Sequence, residues 1–214
     1  AAELEGQSRL QGSAKEKVIL ASFPELSNPF YADIIRGISD TASFRGYHVF
    51  YYTIENHTRP ESYQFITNNY FYDGLIIAHS VPSSQVLDPI KARVPVVMCA
   101  EHNDGELATF VAIDDFAAAS SAINYLLAIG RRKIALINSS LRNNYAIHRE
   151  KAYRACLEKA GIPVNENWVT HISDINFDLA LTAISNIMEQ EDHPDAFFCI
   201  SDVFAAAAIK AAVT

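Results

Sequence analysis

A chain of 214 residues, 50% hydrophobic and 20% charged, can bury a sizeable core and does not have the composition of a disordered segment. That length allows one large α/β domain or two small lobes. A formal net charge of -8 and a pI near 5.3 argue against a free-standing nucleic-acid binder, which usually carries a basic face, so any DNA-reading part lies elsewhere or is missing. Cys99, Cys156 and Cys199 are far apart, odd in number and set in apolar runs, which reads as buried reduced thiols in a reducing cytoplasm. Residues 1–17 are polar and show no signal peptide, and no apolar run approaches the roughly 20 residues of a membrane span.

In chain order, residues 17–22 (KVILAS) predict a strand whose near-continuous apolar run suits a parallel sheet covered on both faces. A turn follows, then a helix over 30–44 with Ile34, Ile35 and Ile38 on one side and Gly46 as its stop. The alternation repeats: strand 48–53, helix 61–69, strand 73–78, short helix 83–91, strand 95–99 and short strand 109–113. Helix 115–129 closes at Gly130, strand 133–137 follows, and helix 145–160 closes at Gly161. Strand 168–172, helix 178–189, strand 196–200 and an Ala-rich helix over 202–213 complete the chain. Strict βαβ alternation implies parallel sheets. The expected architecture is α/β, with two Rossmann-like lobes divided near 130–132: an N-terminal lobe over 17–130, a C-terminal lobe over 131–214, and a tail over 1–16. In such sheets ligands bind beyond the carboxyl ends of the strands, and in two lobes those ends can face one another across a cleft.

Signatures of chemistry are few. The chain has no G-x-G-x-x-G, Walker A, H-E-x-x-H, G-x-S-x-G or C-x-x-C motif, and its seven histidines never pair at ligand spacing. The reading is therefore a binding protein with no catalytic residue, metal or cofactor. The adjacent Asp114 and Asp115 point in different directions and make a poor two-carboxylate site. Either one can cap the following helix, and Asp114 also stands as a lesser ligand or switch candidate. Arg131, Arg132 and Lys133 read as a solvated turn.

Polar and aromatic residues at the strand tips are the candidate ligand contacts. Phe30 and Tyr31 start a helix just after the first strand, where a ring can stack on a sugar or base; core packing is the alternative. Ser80 follows the third strand and can hydrogen-bond a ligand. Arg149 offers five fixed donors and is placed in the first turn of its helix, where a cation is disfavoured; that misfit speaks for function. Asp202 follows the last strand, where it can cap a helix, accept hydroxyl protons, or do both. Arg149, Asp202 and an aromatic ring together suit a polyol.

These positions coincide with a family pattern. Its landmarks are Asn28-Pro29-Phe30-Tyr31 with Ile35-Arg36-Gly37-Ile38, then Asp73-Gly74-Leu75-Ile76-Ile77, Val94-Pro95-Val96-Val97 and Ile113-Asp114-Asp115. They continue with Leu126 and Gly130-Arg131-Arg132-Lys133-Ile134, Arg149 with Ala152-Tyr153, and Phe198 with Ser201-Asp202, Ala205 and Ala208. In this order and spacing the chain resembles effector-binding domains of lactose-repressor (LacI/GalR) family transcription regulators, which look like periplasmic sugar-binding proteins. The wording is nearest the cytidine-regulator branch. The resemblance implies that Phe30, Tyr31, Arg149 and Asp202 touch a small-molecule effector (a sugar, pentose or nucleoside). It also implies a cytoplasmic homodimer, no membrane, and operator DNA bound through a helix-turn-helix absent from this chain. Leu10 lies eight residues before Val18, at the spacing of the family's minor-groove hinge leucine; residues 1–12 read equally as hinge remnant or tail. The family fold continues past the last helix, so the domain is expected to be C-terminally incomplete. Asp115 stands where the family has Asn, and Arg131 where it has His. Ile175 stands where the family often has an aromatic ring, a place Phe177 could take. A periplasmic solute receptor of a sugar transporter and an α/β enzyme are the alternatives.

Overall fold

The structure, a computed structural model, describes residues 17–54, 59–69, 71–80, 82–102 and 109–213. Leu10 and the tail over 1–16 lie outside the described residues. Strands β1 (Lys17–Phe23), β2 (Tyr47–Thr53), β3 (Gly74–Ile77), β4 (Val96–Cys99) and β5 (Thr109–Val111) form one sheet in the order β2-β1-β3-β4-β5. Strands β6 (Ile134–Ser139), β7 (Val169–Ile172) and β8 (Ala196–Cys199) form a second sheet in the order β7-β6-β8. Helices α1 (Phe30–Phe44), α2 (Gln64–Asn68), α3 (Ser84–Lys91), α4 (Asp115–Ala128), α5 (Asn144–Lys159), α6 (Phe177–Met188) and α7 (Asp202–Ala212) connect them. β1 runs parallel to β2 and β3, and β6 runs parallel to β7 and β8.

The chain divides into two compact units. Unit 1 holds the described residues up to Ala78 together with Pro82–Val97; unit 2 holds His79, Ser80 and the described residues from Met98 onward. The strands change sheet between β5 and β6. By compactness the division falls at Val97, because α4 packs along α5 and so goes with the second sheet.

In unit 1 the register sets Leu20 between Phe50 and Leu75, and Leu20, Phe23, Leu75 and Ile77 are buried. The helix expected over 61–69 is instead a 3-10 turn, Pro60–Tyr63, followed by the short α2. Proline suits a helix start, but the tight turn leaves only five residues of α-helix after it. In unit 2 every residue of β6 is buried, as expected of a central strand covered on both faces. Around it lie Tyr153, Trp168, Ile184 and Phe204. The Tyr153 hydroxyl donates to the Ile134 carbonyl at 2.7 Å, and burial pushes its pKa up to about 12. Of the cysteines, only Cys156 is buried. Cys99 and Cys199 are half-buried, and all three are free thiols. Gly130 and Gly161 follow their helices with φ of 90° and 68°, a left-handed turn that costs glycine least.

Most helix starts in unit 2 are capped by the residue just outside the helix. Asp114 accepts from the Ala117 amide at 2.8 Å, Asn176 from Leu179 at 3.0 Å, and Ser201 from Phe204 at 3.3 Å. β5 ends at Val111 rather than at 113.

One buried charged network braces α5 against the second sheet. Glu150, 8% exposed, accepts from Asn138 Nδ2 at 3.1 Å, Arg154 Nε at 3.0 Å and His171 Nε2 at 2.6 Å. Burial alone would raise its pKa, but these donors outweigh it and hold the carboxylate below its ordinary range. The folded state therefore favours the ionised form. That stability is present above the ordinary carboxylate pKa and is lost as pH falls through the depressed one. We expect Glu150→Gln to lose about 1–3 kcal/mol at neutral pH and to flatten the acid limb of the stability curve. Urea unfolding between pH 3 and 7 measures both, and an unchanged acid limb in the variant would refute the assignment.

Candidate ligand-binding site

Parallel pairing sets the carboxyl ends of β6, β7 and β8 along one edge of the second sheet. Ser139 ends β6, Phe177 starts the helix after β7, and Ser201-Asp202 follow β8. Arg149 reaches this edge from α5. Its Nε and Nη2 both bind Asp115 Oδ1, at 2.8 and 2.7 Å, and its Nη1 donates to the Ile200 carbonyl just before Ser201. Its guanidinium lies 5.3 Å over the Tyr145 ring, a cation–π distance. The Arg149 side chain is 20% exposed and that of Asp115 is 4% exposed.

Arg149 is the sixth residue of α5 and lies in its second turn, not the first turn expected from sequence. The helix-dipole misfit therefore does not arise. What offsets the buried cation is Asp115, at the start of α4, where a carboxylate is itself favoured by the helix N-terminus.

The start of α5 is capped from elsewhere in the chain. Asn143 occupies the cap position, but its side chain makes no capping bond; it accepts from Ser80 Oγ at 2.8 Å and donates to the Tyr145 hydroxyl at 3.1 Å. Ser139 Oγ donates to the same hydroxyl at 3.0 Å. The capping acceptor is Glu101, which takes the Asn144 amide at 3.2 Å and the Tyr145 amide. Glu101 is 7% exposed, and its Oε1 has no hydrogen-bond partner among the described residues. Burial raises its pKa most, the two amides lower it, Asp115 raises it and Arg149 lowers it, leaving it at about 7. Ala100, just before it, has a φ of 68°, a left-handed conformation that β-carbon residues rarely adopt.

The structure thus brings Ser80, Arg149 and the segment before Asp202 into unit 2, joined by Asp115, weighed in sequence as a helix cap, and by residues that sequence reasoning passed over: Glu101, Ser139, Asn143 and Tyr145. Strand-tip reasoning could have found Glu101, which follows β4 by two positions. Asp202 is exposed at the first position of α7, and Ser201, not Asp202, is the cap. Asp114 is committed to capping α4. Ile175 packs on the core, and Phe177 starts α6 with 38% of its surface exposed. In unit 1, Phe30 is 53% exposed, while Tyr31 meets Phe23 edge-on at 5.3 Å and Phe30 at 5.2 Å. Among the described residues, no group of three His, Cys, Asp or Glu could hold a metal, and no helix is long and apolar enough to cross a membrane.

Residues 16–214 match the profile of the periplasmic binding proteins and sugar binding domain of LacI family. The chain belongs to this family. Two curated relatives are 28% identical: catabolite control protein A of Priestia megaterium, over 94% of this chain and 61% of its own length, and the transcriptional repressor CytR of Escherichia coli, over 92% and 58%. The chain spans about three fifths of these LacI-family regulators. At equal identity they do not single out the cytidine branch. A crystal structure of an uncharacterized protein from Actinobacillus succinogenes superposes with a TM-score of 0.82 at 29% identity, covering 92% of this chain and 73% of that one. The two-lobed, periplasmic-binding-protein-like α/β fold is thus the architecture of a LacI-family regulatory domain, represented here in part.

Proposed function

We propose that this chain is the ligand-sensing domain of a cytoplasmic LacI-family transcription regulator. It binds a small polar effector, a sugar, pentose or nucleoside, and acts without catalysis. The observation that carries this reading is the preorganised polar cluster at the strand tips of unit 2. There Arg149 is fixed by Asp115 and Ile200 over the Tyr145 ring, and Ser80 is joined to Tyr145 through Asn143; Asp202 and Phe177, at the starts of α7 and α6, are further candidate contacts. Rigid donors and acceptors beside an aromatic face suit hydroxyl-rich ligands. An effector that binds one conformation more tightly shifts the population toward it. In a homodimer whose DNA-reading segment lies outside this chain, that shift changes operator affinity. The named relatives are transcription regulators, which supports this reading over a transport receptor.

Calorimetric titration of the intact protein with pentoses, hexoses and nucleosides tests it, with Arg149→Lys as the diagnostic variant. Lysine keeps the charge opposite Asp115 but loses the planar fork. We expect at least one compound to bind and the variant, folded by its melting curve, to bind it at least about tenfold more weakly. Absence of binding across the panel, or full affinity in Arg149→Lys, would defeat the assignment.

A further inference from the structure

The charge balance at the Arg149 cluster bears on which effectors it accepts. Arg149 is a cation at the strand tips whose charge is already matched: two of its nitrogens lie within 2.8 Å of one oxygen of Asp115, whose side chain is 4% exposed. A second carboxylate, Glu101, sits on the first amides of α5, so the site that a helix N-terminus would offer an anion is filled by the protein itself. Its Oε1 is buried without a partner among the described residues. Asp202 adds a third carboxylate, exposed at the tip of β8. The whole chain carries -8, so its long-range field also opposes an incoming anion.

We infer that Asp115 and Glu101 make this site selective against anions, so that the effector is an uncharged or cationic polyol or nucleoside and not its phosphate ester. The inference rests on the effector reading above and narrows it. A phosphate brought to Arg149 must compete with Asp115 for the same guanidinium, and it meets Glu101 where the helix amides would otherwise receive it. A neutral hydroxyl can share the outer edge of the guanidinium without breaking the ion pair. Asp115 therefore sets the preference through Arg149, and Glu101 sets it by occupying the helix terminus.

The test uses the intact protein with matched probes: ribose against ribose 5-phosphate, cytidine against cytidine 5′-monophosphate, and inorganic phosphate alone. Asp115→Asn and Glu101→Gln serve as near-isosteric variants, each checked for folding by its melting curve. In the wild type we expect each phosphate ester to bind at least about tenfold more weakly than its neutral parent, and inorganic phosphate not to bind at millimolar concentration. In Asp115→Asn, with the guanidinium released, phosphate and the esters should gain about tenfold or more; in Glu101→Gln they should gain less. Wild-type preference for the esters would overturn the inference while leaving the effector reading standing. Unchanged phosphate affinity in both folded variants would overturn it as well. If neither neutral parent binds but Asp115→Asn acquires phosphate binding, the charge gate stands and the choice of ligand class fails.

Discussion

Replacing Arg149 by alanine is expected to lower stability by about 3–5 kcal/mol, the cost of leaving one member of a buried ion pair without its partner. Asp115 is 4% exposed and Arg149 20%, so the penalty falls chiefly on the abandoned carboxylate. The Ile200 carbonyl loses its donor at the same time. In a chain of this size the loss corresponds to roughly 10 °C in Tm. Asp115→Ala should cost less, because Arg149 keeps the Ile200 carbonyl, the Tyr145 ring and its access to water. The double variant should recover part of the Arg149→Ala loss, since removing both charges removes the uncompensated one. Thermal and urea unfolding of the four proteins closes the cycle. Additive losses would mean that the pair is not coupled and that Arg149 acts only as a ligand contact. The same logic makes Arg149→Ala a poor probe of effector binding, since a partly unfolded domain loses affinity for a trivial reason.

Glu101→Gln is expected to act in the opposite direction, stabilising the protein at pH 8 by up to ~3 kcal/mol. Burial lifts this carboxyl from 4.5 to about 7. At about 1.36 kcal/mol per pKa unit, the folded state loses that much when it must carry the ionised form. Between those two pH values the folded protein holds the proton more firmly than the unfolded chain does. Its stability therefore falls as pH rises through this window and levels off above it. Glutamine is always neutral and removes the slope, while its carbonyl can still accept from the Asn144 and Tyr145 amides. Unfolding free energies at pH 5, 6, 7 and 8 measure the difference. If the variant is less stable than the wild type at pH 8, capping of α5 by the charged carboxylate outweighs its desolvation.

Local rules read most of the elements correctly because they depend on neighbours in sequence. α1 was expected over 30–44 and is observed there, where its apolar positions recur at helical spacing and Gly46 ends it. β6 was legible from its unbroken apolar run. The side-chain caps at Asp114, Asn176 and Ser201 follow from residue type and position, although sequence left Asp114 and Asp115 undecided and offered Asp202 as a cap where Ser201 serves. The family landmarks are also linear patterns, and they carry the fold.

By itself, then, the order of residues determined most of the strands and helices, that the sheets are parallel, and which strand tips hold polar groups. Only the tertiary structure decided what those groups do. Asp115 meets Arg149 across 34 residues, Glu101 meets Asn144 across 43, and Ser80 meets Asn143 across 63. Nothing in a local pattern encodes such pairings, because they are fixed by how α4, α5 and the end of β4 pack, and packing is a property of whole surfaces. The same distance dependence decides the electrostatics. A carboxylate at the end of a strand is ordinary in sequence, and becomes a group with a pKa of about 7 only once folding has removed its water.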